Sequence, residues 1–167
     1  MMTRAIATEP LTAAAFSPFG EVLEAAGPPD RIINGGLCAR FHDRARLDFG
    51  ATGRAGISIF DARPCTLPYR LDLLERHPEG SQAFLPMTTQ PFLVIVAPDL
   101  GGTPGPPRAF LTNGAQGINL HRGTWHGVLT PLHAPGRFAV VDRIGPGPNL
   151  EEYHCTPAWV ITPGTGR

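Results

Sequence analysis

The sequence predicts a single all-β domain with one or two short helices. Its 20 glycines and 19 prolines are spread along all 167 residues and separate short apolar runs, a pattern typical of a β-sandwich or barrel. The length suits one domain, which we expect to span residues 1–167 and to bury a core without help from a disulfide or a metal.

One helix is expected near the start of the chain, and the remaining elements are strands. Thr12 can act as N-cap of a helix over residues 12–16, which Pro18 ends. Short apolar or alternating runs then predict strands at 56–61, 69–77, 92–97, 108–111, 117–121 and 137–142. The tail after Pro157 is expected to be irregular or to form an edge.

The segment 69–77 is compatible with two structures. As a strand, it places Glu75 and His77 on one face. As a helix, it would instead gather three leucines on one side. We expect the strand, because prolines flank the segment at both ends.

The composition excludes several classes of function. Fourteen basic and fourteen acidic residues give a formal net charge of zero, so no positive excess is present to bind nucleic acid. All fourteen basic residues are arginines, which rules out Schiff-base catalysis and a P-loop lysine.

The cysteines and the apolar runs bear on localisation. Cys38, Cys65 and Cys155 are far apart and odd in number, which predicts free, buried thiols in a reducing compartment. The N-terminal residues lack the apolar core of a signal peptide. No run reaches the roughly 18 apolar residues of a membrane helix. We therefore expect a cytoplasmic protein without a membrane partner.

The first polar cluster lies in residues 74–86. Glu75 and His77 project from one strand face, and the turn over 78–81 reverses the chain so that Gln82 returns to that face. Three potential metal ligands or hydrogen-bonding groups then converge. The alternative is a solvated hairpin with ordinary surface charges.

The second cluster surrounds a turn in residues 117–126. It contains Asn119, His121, Arg122, Trp125 and His126. Two histidines and a tryptophan around one turn suit the lining of a pocket, because histidine titrates near neutral pH. The alternative is that the tryptophan belongs to the core and that one histidine is a core residue with satisfied hydrogen bonds.

Other polar residues carry weaker signals. Arg40 and His42 share a strand face, and we expect a structural role for them. Arg143 follows a strand and could bind a carboxylate through two hydrogen bonds or form a surface ion pair. His133 and His154 lie in loop-like sequence and are expected at the surface.

Taken in chain order, these motifs resemble the ureidoglycolate lyases of bacterial allantoin degradation. The most specific stretch comprises Leu74-Glu75-Arg76-His77-Pro78 and residues 80–86, and residues 117–126 follow as a further motif. The resemblance continues through 10–22, 33–43, 57–60, 110–114 and 141–143. Several motifs in the same order argue against a chance match.

The resemblance implies a fold, a reaction and a cofactor. The fold is a cupin-like double-stranded β-helix, a jelly-roll barrel, in a homodimer. The reaction is the cleavage of (S)-ureidoglycolate, a small-molecule substrate of purine breakdown, to glyoxylate and urea. Nickel is the metal associated with the family.

Matching the cupin motifs residue by residue implies a ligand set for a divalent metal. Glu75 and His77 take the place of the cupin H-x-H motif, Gln82 that of the glutamate, and His126 that of the last histidine. The set departs from the usual cupin pattern, because only two members are histidines and Gln82 is a neutral, weak ligand. Such a set holds a metal less tightly than three histidines and a glutamate.

The implied reaction needs a base for the substrate hydroxyl and an acid for the departing urea nitrogen. We expect His77 or His126 as the base, Glu75 as the group that tunes or orients a histidine, and His121 as an alternative acid. The expected substrate-binding residues are Arg76, Gln82, Asn119, Arg122, Trp125 and Arg143, and one of the three arginines would hold the substrate carboxylate.

Other functions stay open at this point. A ureidoglycolate amidohydrolase would release ammonia and carbon dioxide instead of urea, and a different cupin enzyme would act on another substrate. A non-catalytic cupin would bind a small acid without turning it over. Product analysis separates the two ureidoglycolate activities.

Overall fold

The computed structural model describes residues 4–165, and most of the regular structure in them is β-strand. One short helix, α1 (Ala13–Phe16), and one 3₁₀ turn (Asn34–Gly36) accompany the strands. The strands are β1 (Arg4–Ala7), β2 (Glu9–Pro10), β3 (Gly20–Leu23), β4 (Arg31–Ile33), β5 (Cys38–Arg40), β6 (Arg54–Ala62), β7 (Tyr69–Arg76), β8 (Gln82–Pro86), β9 (Phe92–Ala97), β10 (Arg108–Leu111), β11 (Gly117–Leu120), β12 (Trp125–His126), β13 (Thr130–Pro131), β14 (Gly136–Ile144) and β15 (Glu151–Thr162).

Two sheets form a nearly closed barrel. The larger has the order β1-β15-β7-β12-β9-β10-β2, with β13 also paired to β9, and the smaller has the order β3-β11-β8-β14-β6. Strands β4 and β5 form a separate hairpin. The prediction of an all-β, cupin-like barrel with a short helix is confirmed.

Strand alternation divides the apolar residues between two cores. In β9, Phe92, Val94 and Val96 pack with the cluster that also holds the inward-facing residues of β8, β11 and β14. The alternate residues of β9 pack with a second cluster on the opposite face of the larger sheet, which includes Trp125. Burial on both faces explains why the sequence of β9 is continuously apolar.

The helix and the ambiguous segment agree with their sequence predictions. Thr12 caps α1, where its Oγ1 accepts a hydrogen bond from the backbone N–H of Ala15 at 3.2 Å. The segment predicted at 69–77 is strand β7, which pairs with β15 and β12. The turn after it leads the chain to the other sheet, because β8 pairs with β11 and β14 and not with β7.

The prediction for the C-terminal tail is wrong. Strand β15 lies between β1 and β7 inside the larger sheet and contributes the buried Ile161 to the second core. Pro157 is accommodated because the register of the β15–β7 pair shifts between His154 and Trp159, where no ladder hydrogen bond is required from it. His154 therefore lies in a strand, although it is exposed as expected.

The cysteines are free, as predicted, but they are not uniformly buried. Cys38 is exposed on the β4–β5 hairpin, Cys65 is partly buried, and Cys155 is buried. Cys38 is exposed because this hairpin is a sheet of its own. Among residues 4–165, no helix has the length and apolar character needed to cross a bilayer.

Candidate active site

Glu75, His77 and His126 meet at one end of the barrel interior. Glu75 and His126 are direct partners in the β7–β12 pair, and His77 follows the last residue of β7. Each of the three offers one ligand atom, and these atoms lie within 4.8 Å of one another. The two imidazole rings are 5.2 Å apart between centroids.

Backbone carbonyls fix the orientation and the tautomer of both histidines. The Nδ1 of His77 lies 2.8 Å from the carbonyl oxygen of Asn149, and the Nδ1 of His126 lies 3.0 Å from that of Gly127. A carbonyl oxygen only accepts, so each Nδ1 carries a proton and donates it. In neutral rings, each Nε2 then holds a lone pair, and both Nε2 atoms are buried with no hydrogen-bond partner among residues 4–165.

These residues fit a divalent metal ion. Two converging imidazole lone pairs and a carboxylate are a common donor set for such ions. Donation of the other ring N–H to a carbonyl is the usual support of a metal-binding histidine. Two buried, unpartnered Nε2 atoms also leave polar groups that a cation would satisfy.

Burial sets the charge of the cluster. Burial lowers the pKa of His126 to about 4. The hydrogen bond to Gly127 opposes this change, and nearby His77 adds a smaller decrease. This imidazole is therefore neutral at pH 7. Burial also raises the pKa of the Glu75 carboxyl; His77 opposes the rise and the charge of Glu152 adds to it.

Gln82 faces the same interior from the smaller sheet. It is the cross-strand partner of both Leu120 and Asp142. Leu120 belongs to the interior core, and directly opposed residues share one face of a sheet. The Gln82 side chain donates from Nε2 to Asp142 at 3.2 Å, and its buried Oε1 has no partner in the described part of the chain.

An interior cavity reaches His126 from the apolar core. Besides His126, its lining includes Phe84 and Leu120 from the smaller sheet and Val94 from the larger. Phe84 is two residues from Gln82 on the same strand, and Leu120 is its cross-strand partner. This small cavity therefore places His126 next to the neighbours of Gln82, although Gln82, Glu75 and His77 do not line it.

His121 belongs to a separate polar group outside this cluster. Its Nε2 lies 2.8 Å from Glu21, whose other oxygen accepts from Asn119 at 2.8 Å. Asn119 alternates with the interior residues Ile118 and Leu120 and so points to the other face of β11. Burial opposes ionisation of Glu21, but the hydrogen bonds from Asn119 and His121 outweigh it and hold the pKa below its ordinary value.

The three arginines expected to bind a carboxylate are engaged within the protein. Arg76 pairs with Asp99 and Glu151 and stacks on the ring of Trp125, 4.5 Å from its centroid. Trp125 in turn donates from Nε1 to Asp99 at 2.9 Å. These contacts place Arg76 and Trp125 in the second core and its polar rim.

Arg122, on the turn after β11, and Arg143, on β14, both bind the segment that precedes β6. Arg122 donates to the side chain of Asp48 at 2.8 Å. Arg143 is buried and donates to the carbonyl oxygens of Phe49 and Pro146 and to the hydroxyl of Thr52. Among the described residues, Arg122 makes one such hydrogen bond and Arg143 makes three, so more N–H donors of Arg122 are free to bind a substrate.

Three functional candidates lay outside the residues identified from the sequence. Asp142 could have been found, because alternation from the core residue Val140 places it inside the barrel. Glu21 could also have been found, because alternation from the core residue Val22 places it on the opposite face of β3, the face that Asn119 shares. Asn149 had no local signal, because its contact with His77 joins residues 72 positions apart.

Known proteins of one family are similar to this chain over most of its length. The family model described as ureidoglycolate lyase matches residues 3–162. A ureidoglycolate lyase of Rhodobacter capsulatus is 66% identical over 145 residues, which cover 87% of this chain and 90% of that protein. Ureidoglycolate lyase 1 of Rhizobium meliloti is 49% identical, with 96% and 95% covered, and a ureidoglycolate lyase of Agrobacterium fabrum is 46% identical, with 96% and 97% covered.

Proposed function

The chain belongs to the ureidoglycolate lyase family, and we propose that it cleaves (S)-ureidoglycolate to glyoxylate and urea at the cluster of Glu75, His77 and His126. The observation that carries this placement is the pair of buried, unpartnered Nε2 atoms beside a carboxylate, at the end of a cavity in the barrel. Curated relatives bear the name of the lyase, and this favours it over the amidohydrolase.

The reaction is an elimination that needs proton transfers and no covalent intermediate. The carbinol hydroxyl of the substrate loses its proton to a histidine as the aldehyde forms, the C–N bond electrons leave with the urea nitrogen, and the same histidine passes that proton on to the urea nitrogen. His77 or His126 accepts the hydroxyl proton at Nε2, the only ring nitrogen not donating to a carbonyl. Glu75, the cross-strand partner of His126, lies within 4.8 Å of the ligand nitrogens of both rings and tunes the histidine that serves as the base.

A divalent ion, nickel by the family resemblance, would be held by Glu75, His77 and His126 and would then replace the histidine base, because a metal-bound Nε2 has no lone pair left for a proton. When bound, it supplies a Lewis acid that lowers the pKa of a hydroxyl group. The carbonyls of Asn149 and Gly127 keep the two imidazoles aimed at one point whether they hold an ion or a proton. Gln82, the fourth member of the predicted metal set, lies on the facing sheet.

Arg122 is our first choice for binding the substrate carboxylate. Among the described residues, Arg122 forms one ion pair, to Asp48, and 39% of the Arg122 side chain is exposed. The neighbouring Gly123 donates its backbone N–H to the carbonyl of His77 at 2.9 Å, so the turn carrying Arg122 is fixed to the cluster. His121 is proposed as the alternative acid, with Glu21 as its partner.

Product analysis of the purified protein tests the reaction. Ureidoglycolate is supplied with and without added Ni²⁺, and glyoxylate, urea and ammonia are measured over time. We expect glyoxylate and urea in equal amounts without ammonia. Ammonia in place of urea would favour the amidohydrolase, and ligand binding without products would favour a binding protein.

We further propose that the protein works in the cytoplasm as a homodimer. Free thiols at all three cysteines support a reducing compartment. Ile57 and Ile59 are 76% and 60% exposed on β6, an edge strand of the smaller sheet, and exposed apolar side chains in a row favour association. Light scattering after size exclusion measures the mass directly.

A further inference from the structure

The orientation of the Gln82 amide is set by its neighbour. Its Nε2 lies 3.2 Å from the carboxylate oxygen Oδ2 of Asp142. An amide flipped by 180° would place an acceptor oxygen against an acceptor oxygen, so the hydrogen bond fixes which end is which. The Oε1 of Gln82 must then point away from Asp142, and it is buried without a partner.

A buried acceptor in this position needs a donor. Unpaired polar atoms in a protein interior are costly and are usually satisfied by a ligand or water. The polar atoms of the histidine cluster, which are the two Nε2 lone pairs and the Glu75 carboxylate, are acceptors as well. A ligand that fills the space must therefore bring both a group for the histidines and an N–H or O–H for Gln82.

The position of Gln82 relative to the cluster suggests which part of a ligand it meets. Gln82 lies on the inner face of the smaller sheet, whereas Glu75 and His126 lie on the larger. Facing sheets are separated by about 10 Å, so a molecule in contact with both must extend across the interior. Ureidoglycolate has a carboxylate and a hydroxyl at one end and amide N–H groups at the other.

On these grounds, and resting on the proposed function, we propose that Gln82 is a specificity residue that accepts a hydrogen bond from an N–H of the substrate's ureido group. Asp142 is the positioning residue that keeps the Gln82 carbonyl oxygen turned towards the substrate. The neutral amide is a weak metal ligand, and its place on the facing sheet leaves the metal to Glu75, His77 and His126.

Two variants test the assignment. Gln82→Met keeps the size of the side chain and removes the acceptor, and Asp142→Asn keeps its shape and permits the glutamine to flip. Asp61→Asn is the matched control, because Asp61 is paired to Arg137 at the exposed surface of β6. Steady-state kinetics on ureidoglycolate, inhibition by urea and by glyoxylate, and calorimetric titration with Ni²⁺ are measured for each.

We expect Gln82→Met to raise KM and the inhibition constant of urea by about tenfold. The inhibition constant of glyoxylate and the affinity for Ni²⁺ should stay within twofold of the wild type. Asp142→Asn should shift KM in the same direction by less, and Asp61→Asn should change none of these values. If Gln82→Met does not fold, the Asp142→Asn result decides.

Two kinds of result would contradict the assignment of Gln82, and a third would contradict the proposed reaction itself. A tenfold loss of Ni²⁺ affinity in Gln82→Met would make Gln82 a metal ligand and overturn the inference. Unchanged KM and urea inhibition in a folded Gln82→Met, or in Asp142→Asn if that variant alone folds, would overturn it as well. If the wild-type protein releases no urea from ureidoglycolate, the proposed function fails, and the ureido assignment fails with it.

Discussion

The loop that holds His77 offers the sharpest test of how the site is built. Asn149 contacts the turn after β7 twice: its carbonyl oxygen accepts from the Nδ1 of His77, and its side-chain oxygen accepts from the backbone N–H of Glu79 at 2.8 Å. Asn149→Ala removes only the second contact. The loop is then released, and the carbonyl that orients His77 is no longer held in place.

The expected effect on metal binding is larger than the effect on folding. Loss of one partly solvated hydrogen bond lowers the free energy of unfolding by about 1 kcal/mol. Loss of support behind a ligand histidine typically weakens metal binding by about 10- to 100-fold. We therefore expect Asn149→Ala to weaken Ni²⁺ binding at least about tenfold, while urea denaturation shows a loss of only about 1 kcal/mol.

Calorimetric titration with Ni²⁺ at pH 7 measures the change in Ni²⁺ affinity. One control variant and one rescue variant accompany Asn149→Ala. Asn113→Ala likewise removes a side-chain oxygen that accepts from a backbone N–H, here that of Ala115. This variant should leave the Ni²⁺ affinity unchanged. Asn149→Asp keeps an acceptor oxygen and should restore most of the affinity. Equal Ni²⁺ affinities for Asn149→Ala, Asn113→Ala and the wild type would refute the idea that this loop positions His77.

Three further predictions concern the site, acid stability and the core. His126→Ala should lower the rate of glyoxylate release by at least about 100-fold, whereas His154→Ala, at an exposed position on β15, should match the wild type; a near-normal rate in His126→Ala would exclude the site. The pKa of Glu21 lies below its usual 4.5 in the folded chain, so ionised Glu21 adds stability that is present above pH 4.5 and is lost as the pH falls through the folded pKa. The melting temperature of Glu21→Gln should therefore fall less steeply than that of the wild type below pH 4.5, and parallel curves would contradict this. Phe110→Ala, at a fully buried ring packed edge-on against Phe16, should cost about 3–5 kcal/mol in urea denaturation, and a loss no larger than that of the partly exposed Phe60→Ala would be the contrary result.

Local patterns were sufficient for most of the elements. Alternation in 69–77 and the flanking prolines predicted β7, and the continuous apolar run predicted β9 as a strand buried on both faces. A threonine before three alanines predicted the cap of α1. Each of these features depends on residues close in sequence, and the tertiary structure preserves them.

Features that depend on distant pairing were predicted less well. Strand β15 was missed because Pro157 and the polar residues before it are unfavourable for a strand, and only the long pairing with β7 and the register shift explain it. The alternation within β11 indicates that His121 points away from the interior. Its pairing with Glu21 could not be predicted from local sequence, because the two residues are 100 positions apart. The local spacing brought Glu75 and His77 together, whereas their meeting with His126 depends on the β7–β12 pair and was implied by the family resemblance.

The central claim is that Glu75, His77 and His126 form one site for a divalent ion in the barrel. The most direct measurement is anomalous X-ray diffraction at the nickel edge, from crystals of the full-length protein grown with Ni²⁺ and glyoxylate. We predict one strong peak between the Nε2 atoms of His77 and His126, with the product next to it. A peak elsewhere, or glyoxylate bound away from both imidazoles, would contradict the account.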